Sequence, residues 1–92
     1  MIIMKRRESK YFCISDIKYS VSFRYHLQII LNRELFKVKD LIEIEDLIEY
    51  FGGKCKEGSS SKLLYIINAD YFKTQEQAEY FKEIFLVEYG EK

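Results

Sequence analysis

"DLIEIEDLIEYFGGKCKEGSSSKLLYIINADYF", residues 40–72, is the stretch whose reading decides the fold. Leu41, Ile44, Ile48 and Phe51 recur at i, i+3, i+7 and i+10, which lines one apolar stripe along a helix. Asp40 stands where an N-cap acceptor belongs, and Glu43, three residues on, completes a capping box. Gly52-Gly53 then supplies the residue type that ends a helix in the left-handed conformation. Beyond it, "GKCKE" (53–57) and "SKLLYIIN" (61–68) flank the turn-rich "GSSS" and read as two strands of a hairpin.

On the N-terminal side, "KYFCISDI" (10–17) is strand-like and runs into a turn predicted near residues 16–18. In "YSVSFRYHLQIIL" (19–31), Val21, Phe23, Tyr25, Leu27 and Ile29 alternate with Ser20, Ser22, Arg24, His26 and Gln28. That period predicts a strand with one buried and one polar face, paired to the strand before it. The link "NRELFKVK" (32–39) fits either a loop or the first turns of the helix. On the C-terminal side, Thr74 and Gln77 form a second capping-box pattern. Ala78, Phe81 and Phe85 share the face of the helix that follows, with Ile84 beside them and Gly90 near its end. The predicted order is ββαββα, an α+β two-layer sandwich: a four-stranded antiparallel sheet with two helices on one face. Residues 1–92 form a single domain, with 1–9 a basic extension.

The 92 residues are 48% hydrophobic and 16% aromatic, enough for a packed core. Fifteen basic and fifteen acidic residues cancel, so bulk charge names no partner. Their distribution is uneven. Lys5, Arg6, Arg7 and Lys10 open the chain and Lys54 and Lys56 lie on a predicted strand, whereas Glu43, Glu45, Asp46, Glu49, Glu76, Glu79 and Glu83 fall on the helices. The pattern is that of a basic sheet backed by acidic helices, or of ordinary salt-bridged solvated faces. Cys13 and Cys55 fit no metal spacing and suit a reducing compartment. "MIIM" is interrupted too soon for a signal peptide, and no stretch is long enough to span a membrane. A soluble cytoplasmic protein without a cofactor is expected. His26 is the only histidine, which leaves no His-based metal site or triad; a Cys–His pair would need Cys13 beside it across the hairpin. Tyr25 and Tyr50 are assigned to the core or its edge. Tyr11, Tyr19 and Tyr65 are the tyrosines placed to stack on bases from the sheet.

The polar-faced "YSVSFRYHLQI", the helix "DLIEIEDLIEYFGG" and the following "GKCKEGSSSKLLYIIN" together resemble the LAGLIDADG homing endonucleases over residues 8–86. The resemblance implies a half-domain whose concave sheet lies in the DNA major groove. That family's first helix, which joins half-domains and ends in the metal-binding acid, has no counterpart in "MIIMKRRES"; Glu8 stands near the acid's position without the small-residue helix before it. The resemblance therefore implies a DNA-binding domain that is not catalytic and holds no metal. Carried onto this chain, the contact face is Ser20, Ser22, Arg24, His26 and Gln28, with Lys54 and Lys56, joined by Tyr11, Cys13 and Ser15. Arg takes guanine and Gln takes adenine bidentately, while serines and lysines hold phosphates. The same residues suit a solvated sheet face.

Two other readings follow from the same features. A compact chain with carboxylates massed on one side suits a small phage-type inhibitor that occupies the basic groove of a nucleic-acid enzyme. A half-domain that needs a partner to span its target would assemble as a homodimer.

Overall fold

The computed structural model describes residues 12–57 and 61–90. The basic extension with Glu8, Tyr11, and residues 58–60 of the "GSSS" turn lie outside them. The elements are β1 (Phe12–Ile14), β2 (Lys18–Ser20), β3 (Arg24–Asn32), α1 (Val38–Tyr50), β4 (Lys54–Glu57), β5 (Leu64–Phe72) and α2 (Gln75–Tyr89). The α+β class stands. The strand count and order differ from expectation: among the described residues the antiparallel sheet has five strands, and the elements run βββαββα.

The difference arises at the first hairpin. The turn falls at residues 21–23, not near 16–18, and β1 and β2 lie end to end along one edge of β3. Ile14 pairs with Ile29 and Lys18 with His26, so four steps on one strand meet three on the other. This one-residue slip is a bulge. The Ser15 hydroxyl accepts the Gln28 N–H at 2.9 Å, satisfying a ladder group at the break. Lys82 of α2, itself buried, donates from Nζ to the Ser15 carbonyl at 2.8 Å and lies 3.8 Å from Asp16. At the real turn, the Ser20 hydroxyl accepts the Phe23 N–H and Arg24 adopts φ 57°, a conformation usually given to Gly. Val21 and Phe23, expected on the buried face, are therefore exposed, Val21 at 90%.

From Tyr25 onward the alternation holds. Leu27, Ile29 and Leu31 of β3 and Ile67 and Ala69 of β5 are buried on one face, in register across the strand pair. They join Ile44 and Ile48 of α1 and Ala78, Phe81 and Phe85 of α2 in a single core. Burying each large side chain stabilises the fold by about 1.5–3 kcal/mol. β5 runs to Phe72, four residues beyond the predicted strand, with a bulge opposite Tyr25–Leu27 where Tyr71 takes φ 70°.

The helix ends differ from each other. Thr74 caps α2 as its sequence pattern indicates: its Oγ1 accepts the Gln77 N–H at 3.1 Å, while Gln77 Oε1 accepts the Lys73 N–H. α1 starts earlier than Asp40 suggested, with Lys37 at the N-cap. A lysine ammonium has no lone pair to accept with, so half a capping box forms, the Lys37 N–H donating to Asp40 Oδ2 at 2.8 Å. Gly52 closes α1 at φ +96°. Tyr50, assigned from sequence to the core or its edge, is 80% exposed because it sits off the stripe that buries Ile44 and Ile48. The two helices are tied by the Tyr89 hydroxyl, which donates to Glu43 at 3.1 Å. Burial first, and the Glu43 carboxylate second, push the Tyr89 phenol well above its ordinary value.

Candidate nucleic-acid interface

The face of the sheet away from the core is built by the intervening residues of the same strands. His26, Gln28 and Ile30 of β3 stand beside Asn68 and Ile66 of β5, and Lys54 and Lys56 of β4 pair with Asp70 and Asn68. At the centre, the Gln28 amide donates to the Asn68 side-chain oxygen at 3.1 Å. The His26 ring donates from Nδ1 to the Arg24 carbonyl at 2.9 Å in the tautomer that satisfies it. Phe23, at the hairpin tip, lies over this face, 5.7 Å from the His26 ring, with Lys56 Nζ 5.9 Å from its centroid. Its carbonyl accepts the Tyr71 N–H at 2.8 Å, which fastens the tip to β5.

The structure thus brings together four of the residues singled out from sequence, His26, Gln28, Lys54 and Lys56. The other three sit at the hairpin end. Ser20 spends its hydroxyl on the turn, Ser22 is in the turn, and Arg24 is the first residue of β3, exposed. Cys13 pairs with Ile30, four positions from His26, so no Cys–His pair forms across the hairpin. Neither Cys13 nor Cys55 is in a disulfide. Tyr19 is exposed, tilted against Tyr25, while Tyr65 is half-buried beneath the Arg33 guanidinium at 4.4 Å.

Asn68 and Asp70 were not singled out from sequence: Asn68 closes the predicted strand 61–68, and Asp70 lies beyond it. Asp70 is 5% exposed. Burial raises its carboxyl above the ordinary value, and the charges of His26 and Lys56 pull against that shift without overcoming it.

Charge is divided by layer. The helices carry Asp40, Glu43, Glu45, Asp46, Glu49, Glu76, Glu79, Glu83 and Glu88 against Lys39 and the buried Lys82. Strands and connections carry Lys18, Arg24, Arg33, Lys37, Lys54, Lys56, Lys62 and Lys73 against Asp16, Glu34, Glu57 and Asp70. Among the described residues, no group of three His, Cys, Asp or Glu side chains is placed to hold a metal ion. Among the same residues, no helix is long and apolar enough to cross a membrane. Comparison with known proteins returns no match: no family model fits the chain, and no curated protein or solved structure aligns to it significantly.

Proposed function

We propose that this protein is a non-catalytic nucleic-acid-binding domain of the LAGLIDADG-endonuclease-like kind, contacting duplex DNA through the open face of its sheet. The division of charge by layer carries the reading. A cationic sheet layer over anionic helices orients a polyanion toward one side, although the net charge of the chain is zero. Lys54, Lys56 and Arg24 meet phosphates, and Gln28 presents its amide to base edges, with Ser20, Ser22 and His26 beside them. The test is titration of a labelled duplex at several salt concentrations. Arg24→Ala with Lys54→Ala should weaken binding and reduce the log–log salt slope by about two, one per phosphate contact. An unchanged affinity and slope would sink the reading.

The nine helical carboxylates favour a second reading, an inhibitor that offers its acidic layer to the basic groove of a nucleic-acid enzyme. Charge reversal at Asp46 and Glu49 discriminates, since it should abolish inhibition and spare contacts made by the sheet. Glu43 is unsuited to that test because it accepts the Tyr89 hydroxyl.

A further inference from the structure

A second cationic feature lies at the far end of the sheet, away from the hairpin tip. Where β3 and β5 meet the start of α1, an open groove of about 730 Å³ is lined by Arg33, Lys37, Lys39 and Lys62, with Tyr65 in its wall and Glu34 its only acid. Two segments, 33–39 and 62–65, converge there, so the fold adds Lys62 and the Tyr65 ring to the three cations of the first. Arg33 is held in place: its guanidinium donates to the Ser61 carbonyl at 2.7 Å and stacks on the Tyr65 ring. A guanidinium so fixed, with donors arranged as a fork, is suited to phosphate oxygens. Among the described residues the one ion pair within 4 Å is Lys82 with Asp16, so none of these four cations is neutralised by a neighbouring carboxylate there. Lys37 and Lys39 also crowd the positive end of α1, where an approaching anion relieves repulsion.

We infer that this groove is a phosphate-binding cradle, and that it takes the phosphodiester backbone of a nucleic acid. The choice of nucleic acid rests on the proposed function; the phosphate chemistry stands without it. His26 and Arg33 are seven residues apart on the β3 track, about 23 Å at 3.3 Å per residue. That distance spans about seven phosphates of one strand, so the cradle and the sheet face are separate contacts.

The experiment is to titrate ¹⁵N-labelled protein at low salt with a short unlabelled duplex and, separately, with tripolyphosphate, following backbone amides. The duplex should shift the amides of residues 33–39 and 61–63, and Lys39→Gln with Lys62→Gln should weaken that effect about tenfold. Shifts there with tripolyphosphate alone would keep the phosphate cradle and make its source a free oligophosphate. Shifts confined to residues 26–28, 54–56 and 68 would overturn the cradle and leave the sheet reading standing. Shifts confined to the groove would do the reverse. No shift at residues 33–39 with either probe overturns the proposal.

Discussion

The two faces of β3 and β5 come from alternate residues of the same backbone, yet they obey opposite rules. On the covered face, Leu27, Ile29, Leu31, Ile67 and Ala69 are sealed by helices at 4% exposure or less. On the open face, Gln28 is exposed and His26, Ile30, Ile66 and Asn68 are half-buried. The first set holds the domain together; the second is released from packing and can be chosen for what it binds. A period of two lets nine-residue strands do both without conflict. Substitutions on the covered side should therefore change stability and leave binding per folded molecule alone, and those on the open side should do the opposite.

The largest test of this division is Phe81→Ala. Phe81 is fully buried, 5.7 Å from the Phe72 ring and 6.0 Å from Phe85. Truncation should cost about 3–5 kcal/mol through lost burial and the cavity left behind. A small domain holds about 5–15 kcal/mol in total, so this is a large share. Urea denaturation measures the loss, and duplex titration of the remaining folded protein should return the unsubstituted affinity. A loss below about 1 kcal/mol would mean that the aromatic cluster is not the centre of the core.

Gly53→Ala is the next test. A methyl group there would stand 2.8 Å from ring atoms of the fully buried Phe72, closer than carbon atoms tolerate. Overpacking of this kind costs about 1–3 kcal/mol. In a Phe72→Leu background the same substitution should cost less, because the atoms it collides with are gone. Equal costs in both backgrounds would show that the close approach is not the reason for glycine. Thermal denaturation of the four proteins forms the cycle.

How much of this could be read from sequence follows the same line between packing and everything else. The stripes Ile44–Ile48 and Ala78–Phe81–Phe85 were legible because helical burial writes itself as a 3.6-residue period. The Thr74–Gln77 cap was legible because its chemistry is local. The first hairpin was not. Its turn contains no Gly, Pro or Asn, and Val21 and Phe23 extend the alternation straight through it. Only the Ser20 hydroxyl and the left-handed Arg24 make the corner. β5 was cut short at Asn68 for the converse reason, since Asn and Asp favour turns in isolation, whereas here the strand runs on through Asp70 to Phe72. On the open face His26, Gln28, Lys54 and Lys56 could be grouped from alternation. The groove around Arg33 and Lys62 could not, since tertiary structure alone joins 33–39 to 62–65.

The smallest expected effect sharpens the comparison most, because Asp70 breaks the rule for both faces. It sits among cations on the open side yet is almost fully buried. Burial raises its carboxyl above the ordinary 3.8, and this outweighs the stabilising fields of His26 and Lys56. Between the unfolded value and the raised folded one, the native chain keeps a proton that the unfolded chain has released. Stability therefore falls as pH rises through that window, and the deficit persists above it. Asp70→Asn keeps the shape and removes the charge. It should raise stability at neutral pH and flatten the pH dependence, both readable from urea midpoints at mildly acidic and neutral pH. Because the lost charge opposes phosphate at the cationic face, the same variant should bind duplex more tightly. Greater stability without tighter binding would place the nucleic acid away from Asp70. Lower stability would mean that the attraction to Lys56 and His26 exceeds the cost of burial, and that the open face is held together by charge as well as by its backbone.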